Sequence, residues 1–183
     1  MLPDTAPSQE AAPLSLTQVV NAIAAQLDPD RMGTGPMAAL RRLDPGGPLV
    51  EPALLRLLVQ HVPDAWWAGA GIRRWALVIH ALALAAPDLH RGRGPADRLG
   101  RALFDAGFSE LRLGRLLEAS PDDLIVVVPR TVRFLVAKGR GFDPVPLARF
   151  VLGAWAGGVR ADEQREALAR DYFRAEREAR PAA

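Results

Sequence analysis

LGRALFDAGFSELRLGRLLEASPDDLIVVVPRTVRFLVAK, residues Leu99 to Lys138, spells three helices in succession. In the segment Ala96 to Ala106, Leu99 and Leu103 mark one face, while Arg98, Arg101 and Asp105 share the other at three- and four-residue steps. Ser109 stands as an N-cap for the next helix, where its hydroxyl can accept from an otherwise unpaired first-turn amide. Ser120-Pro121-Asp122-Asp123 repeats that logic, with proline in the first turn and acids at the positive helix end. The helix Asp122 to Lys138 turns Leu124, Val128, Val132 and Leu135 toward a core, and Pro129 is expected to kink it. Its Val-rich run Ile125 to Val128 has strand character, but it is short and has no second strand to pair with. The reading is all-α.

The same grammar extends in both directions. Leu14 to Leu27 carries Leu16, Val19, Val20, Ile23 and Leu27 at helical spacing. Met37 to Leu43 makes a short helix ended by Asp44-Pro45-Gly46-Gly47. The helix after Pro52 is apolar nearly all round, through Leu54, Leu55, Leu57, Leu58 and Val62, and should lie deep. Asp64 to Gly71 reads as a loop holding Trp66 and Trp67, and Ile72 to Ala86 resumes a helix with Ile72, Trp75, Ala76, Ile79 and Ala83 on one side. Pro144 to Trp155 and Asp162 to Arg177 complete an antiparallel bundle of about eight or nine helices. The organisation expected is a flexible extension over 1–13, a helical domain over 14–177 and a flexible tail over 178–183. The Gly/Pro/charge segment near 88–95 is the best place to divide the domain into two small lobes.

Composition narrows the class. With 183 residues, 49% apolar and 24% charged, the chain can bury a sizeable core. It lacks cysteine, which removes disulfides and thiolate metal sites and points to an intracellular, cytoplasmic setting. The most apolar run, Trp75 to Ala86, has 12 residues, where a membrane-spanning helix needs about 20. The net charge of +2 is uneven. Residues 1–90 hold six arginines against eight acids (−2), and residues 91–160 hold eleven arginines and Lys138 against seven acids (+5). A local basic surface of this kind attracts phosphates even when the whole chain is near neutral.

Enzyme chemistry has no visible foothold. His61, His80 and His90 form no metal-ligand pair at helical spacing, His61 reads as a cation at a helix end, and His80 reads as a packed side chain. The phosphate-cradling Gly-x-x-x-x-Gly-Lys-Ser/Thr loop is missing. Of the four serines, Ser109 and Ser120 already have capping roles, so a serine nucleophile has little support. The reading is non-catalytic, with no cofactor, metal or small-molecule ligand, and a small hydrolase is the least supported class.

Arginine pairs remain. Arg41-Arg42, Arg73-Arg74, Arg91 and Arg93, Arg98 and Arg101, Arg112 and Arg115, and Arg130 and Arg133 punctuate the chain. Three-residue spacing puts both members on one helix face, where fork-shaped guanidinium groups can grip successive phosphates. The competing reading is a solvated face laced by salt bridges to Asp97, Asp105, Glu110 and Glu118. Trp75, Phe134, Phe150 and Trp155 occupy apolar positions and read as core rather than as base-stacking platforms. Adjacent Trp66 and Trp67 cannot easily both be buried, so one of them is expected to face a partner.

The Leu-Gly-Arg-Ala-Leu helix at 99–103, the short turn and the Ser-Glu-x-Arg helix from Ser109 resemble the CasB family, the small subunit of the type I-E CRISPR surveillance complex, Cascade. Other segments follow in the family's order: Gly33 to Leu43 (GTGPMAALRRL), Pro52 to Gln60 (PALLRLLVQ), Asp143 to Leu147 (DPVPL) and Arg165 to Arg174 (REALARDYFR). The chain departs from the pattern at Val126 to Pro129, where the family has a more polar, arginine-bearing helix, and in its Ala/Pro-rich N-terminal extension. The resemblance implies a subunit present in two copies. It would contact the backbone and large subunits with their guide RNA, and help hold target DNA and the displaced strand of the R-loop. Sequence is then read by RNA pairing, so backbone contacts suffice. Arg41 and Arg42 fall in the family's early arginine pair, Arg101 in its Leu-Gly-Arg-Ala-Leu motif and Arg112 in its Glu-x-Arg motif. Arg73, Arg91 and Arg93 lie where the family tends to be basic, and charge and spacing add Arg130 and Arg133. The alternative is a helical protein-interaction adaptor working through the Trp66-Trp67 segment and the C-terminal helix, with no nucleic-acid role.

Overall fold

The computed structural model describes residues 14–86, 89 and 98–180. The expected extension over 1–13, most of the expected lobe boundary, and Arg91 and Arg93 lie outside the described residues. Eleven helices and no strands are found among the described residues, an all-α bundle. They are α1 (Leu16–Gln26), α2 (Pro29–Met32), α3 (Thr34–Arg42), α4 (Pro52–His61), α5 (Asp64–Trp67), α6 (Gly71–Ala85), α7 (Leu99–Asp105), α8 (Glu110–Glu118), α9 (Pro121–Ala137), α10 (Pro144–Ala156) and α11 (Gly158–Ala179). The excess over eight or nine comes from α2 and α5, which are single turns. In α5 the Ala68 amide closes onto the Asp64 carbonyl at 3.1 Å, so the segment expected as a loop is helical at its start.

The central helix is α6, the most apolar stretch of the sequence. Its residues 75–83 are all buried. It packs against α3, α4 and α5 and against α9 and α10, while α1 lies against α10 and α4. One hydrophobic cluster therefore includes Leu54 and Leu58 from the first half of the chain and Leu103, Val132 and Val151 from the second. Each fully buried Leu or Ile side chain stabilises by about 1.5–3 kcal/mol, and continuity of this cluster ties the halves together. The pair most closely seated is α7 against α11. Gly100 makes that approach feasible: a Cβ there would overlap the Leu168 carbonyl oxygen and lie 2.7 Å from the Tyr172 amide nitrogen.

Several helix ends follow the sequence, whereas α3 starts at Thr34 and α11 at Gly158, ahead of the expected Met37 and Asp162. Ser15 with Gln18 and Ser120 with Asp123 form capping boxes, and Asp143 accepts from the Val145 amide at 2.9 Å. Ser109 occupies the N-cap position of α8 with extended backbone, but its hydroxyl makes no cap bond; the residue is exposed, and the Leu113 amide closes the turn on its carbonyl at 2.9 Å. His61 ends α4, yet its Nε2 is enclosed without a partner and burial pushes its pKa below the ordinary value, so the expected helix-ending cation is disfavoured. His80 is buried as expected, with Nδ1–H donating to the Leu40 carbonyl at 2.8 Å. Helix α9 runs through Pro129 without a break, and α11 continues two residues beyond Arg177, where Glu178 meets Arg101.

Candidate nucleic-acid interface

Helices α8 and α9 are joined through Ala119 and Ser120 and lie against each other. Leu113 and Leu116 anchor α8 inward, and Leu124, Val128, Val132 and Leu135 anchor α9. Arg112 and Arg115 on α8, and Arg130 and Arg133 on α9, are left exposed. Among the described residues, no carboxylate lies within ion-pair distance of any of the four. Between the helices runs a groove of about 360 Å³ lined by Phe108, Arg112, Arg115, Val127, Arg130, Thr131 and Phe134.

The groove floor is built and held. Phe108 and Phe134 meet edge to face with centroids 5.3 Å apart. The Phe108 carbonyl accepts from the buried Tyr172 hydroxyl of α11 at 2.5 Å. Burial, then the neighbouring charges of Glu110 and Glu176, push the Tyr172 pKa up, which keeps that donor protonated. The Thr131 hydroxyl is turned back on its own helix, donating to the Val127 carbonyl at 2.9 Å. Over the half-buried Phe134 ring stand two cations, the Arg112 guanidinium 5.3 Å from the centroid and the Lys138 ammonium at 5.9 Å. The expectation that Phe134 is simply core is thereby corrected: α9 presents its ring at the edge of the core, on the basic side. Trp155 is also only half-buried, whereas Trp75 and Phe150 are fully inside.

The other predicted arginines among the described residues are engaged within the chain. Arg41 donates from Nε to the Ala83 carbonyl at 3.0 Å, bracing α3 on α6. Arg42 donates to the Ala38 carbonyl of its own helix at 3.2 Å, and Arg73 to the Gly46 carbonyl at 2.9 Å. Arg101 pairs with Glu178 at 2.6 Å and with Asp105 at 3.8 Å. The structure thus brings Arg112 and Arg130 of the predicted set to one groove; Arg133 is exposed on α9 outside the groove lining, on the side from which its charge reaches His80, and Arg41, Arg42, Arg73 and Arg101 make bonds within the chain. Arg115 and Phe134 join the face without having been selected; Arg115 follows Arg112 by the three residues that share a helix face, and Phe134 lies four residues after Arg130 and four before Lys138.

Of the two adjacent tryptophans, Trp66 is the one turned outward. It is 39% exposed and stacks almost parallel on buried Trp75, with centroids 6.5 Å apart. Trp67 is half-buried, and among the described residues neither its enclosed indole Nε1 nor Nε of Arg74 has a hydrogen-bond partner. Among the described residues there is no cluster of three or more His, Asp or Glu side chains that could hold a metal ion, and no helix long and apolar enough to cross a membrane.

A family model described as CRISPR-associated protein Cse2 matches residues 36–173, about three quarters of the chain. Comparison with curated proteins and with solved structures gives no match. The matched span runs from α3 to α11 and takes in the whole α8–α9 face. The chain belongs to the Cse2 (CasB) family, the CRISPR-associated small subunits of the type I-E Cascade complex.

Proposed function

We propose that this subunit acts without catalysis, in two copies, inside the RNA-guided complex in the cytoplasm, and helps hold the target and displaced DNA strands of the R-loop. Arg112, Arg115, Arg130 and Arg133 grip phosphates there, independent of sequence. The observation that carries this reading is their exposure without carboxylate partners among the described residues, with Arg112, Arg115 and Arg130 lining one groove and Arg133 one turn further along α9. An arginine already paired must give up its carboxylate to take a phosphate, whereas these four exchange only water and counterions. Arg41, Arg73 and Arg101 then support the fold by tying separate segments together, and Arg42 is turned back on its own helix. The outward Trp66 with Trp67 serves contacts to protein, either the neighbouring subunits or the second copy.

The test is binding of labelled single- and double-stranded DNA and RNA across a salt series, comparing the unmodified protein with Arg112→Ala/Arg130→Ala. Each phosphate contact on a single strand adds about 0.7 to the logarithmic salt slope, so the double variant should lower the slope by about 1.4 and weaken binding to every sequence alike. Binding that ignores both salt and the double variant would instead favour an adaptor that works through Trp66.

A further inference from the structure

We infer that the α8–α9 groove is a slot for an unpaired nucleobase, with the Phe134 ring and the Arg112 guanidinium as its stacking surface, so that the face prefers single-stranded to duplex nucleic acid. The inference rests on the phosphate-gripping reading above and adds the part of the nucleotide that phosphate contacts leave unexplained. Phosphates alone account for the arginines. They do not account for the apolar floor between them, made by Phe108, Val127 and Phe134. A groove of about 360 Å³ is in the size range that receives small organic groups, and a flat base entering it can stack on the Arg112 guanidinium, which lies over the Phe134 ring 5.3 Å from its centroid and is backed by it.

The arrangement of charge selects the occupant. Arg112 and Arg115 stand on the α8 side and Arg130 on the α9 side of the same floor. A nucleotide in a strand has a phosphate on each side of its base, which matches cations on both walls. An aromatic side chain of a peptide has neutral amides on each side and leaves the walls unanswered. A duplex keeps its bases within the stack, so its phosphates reach the rim while the floor stays empty. Tyr172 supports the slot from behind by fixing the Phe108 carbonyl, which keeps the floor in place before any strand arrives.

The experiment uses the full chain and three labelled probes of equal length: oligo-dT, an abasic strand with the same phosphates, and a duplex, followed by fluorescence anisotropy at low salt. Oligo-dT should bind roughly tenfold more tightly than the abasic strand. Phe134→Leu should bring oligo-dT down to the abasic level and leave the abasic strand unchanged, and Phe134→Trp should restore the difference. Equal binding of oligo-dT and the abasic strand by the unmodified protein, with both lost in Arg112→Ala/Arg130→Ala, overturns the slot while leaving the phosphate reading standing. Failure of every probe to bind the folded protein removes both. Tighter capture of an acidic, phenylalanine-bearing peptide than of oligo-dT assigns the groove to protein and also overturns the inference. Should Phe134→Leu not fold, the comparison of oligo-dT with the abasic strand on the unmodified protein still decides.

Discussion

The α7–α11 seam and the α8–α9 face are neighbours built from similar ingredients, and they end in opposite states. Both carry arginines three residues apart on short amphipathic helices. At the seam, Arg98 meets Asp171 at 3.0 Å and Arg101 meets Glu178 at 2.6 Å. On the α8–α9 face, Arg112, Arg115 and Arg130 look across at Val127, Phe108 and Phe134. What separates them is the partner helix: α11 supplies carboxylates to the seam, whereas the core edge supplies rings and methyl groups to the face. Density of arginine along the chain therefore does not tell which guanidinium groups are paired; the residue across the gap does.

Glycine breaks the comparison most sharply. Gly100 sits where any Cβ meets the α11 backbone, while a Cβ on Gly114 of α8 would have open space within 4 Å. In an open helix, Gly→Ala stabilises by about 1 kcal/mol. Gly114→Ala should do so, while Gly100→Ala should destabilise by about 2 kcal/mol because backbone cannot yield as a flexible side chain can. Denaturant midpoints of the two variants moving in the same direction would disprove the close seating of α7 on α11.

A smaller effect separates the two arginine sets. Arg98→Ala/Arg101→Ala should cost about 1 kcal/mol of stability or less, since both pairs are partly solvated, and should leave nucleic-acid affinity and its salt slope unchanged. Arg112→Ala/Arg130→Ala should do the reverse, changing the slope and sparing the melting curve. If the seam variant flattened the salt dependence as much as the face variant, the division between bracing and gripping arginines would be wrong.

The smallest expected effect concerns pH. Burial holds His80 below its ordinary pKa, opposed by its bond to the Leu40 carbonyl and lowered further by the charge of Arg133. The unfolded chain then binds this proton more readily than the folded one, so stability falls as pH drops below about 6.5 toward the depressed folded value, and is fully present above it. His61 acts in the same direction. Replacing His80 with Gln should flatten that part of the stability curve in thermal melts at a series of pH values; an unaltered slope would show that His80 does not titrate on unfolding.

The helical alphabet of this chain was legible because it is local. Ser120 caps as expected, and the period of Leu124, Val128, Val132 and Leu135 overrides the strand-like look of Ile125 to Val128; Ser109 takes the N-cap position without the expected hydroxyl bond. Motif recognition also worked locally, since Leu99 to Leu103 and Ser109 to Leu117 lie within the matched span. The roles inside those motifs were not legible. Gly100 packs closely against, and Arg101 pairs with, residues about seventy positions away. Phe134 reads as core by period, and only the position of α8 beside it leaves its ring half uncovered beneath Arg112.

By itself the sequence determined the all-α class, most helix boundaries and the family, because capping, hydrophobic period and short motifs are properties of neighbouring residues. Tertiary structure alone decided which arginines are spent and which are free. A guanidinium's state depends on its immediate neighbours: a carboxylate of α11 for Arg101, a backbone carbonyl for Arg41 and Arg73, and the face of the Phe134 ring for Arg112, each set by helix packing rather than by adjacency in the chain.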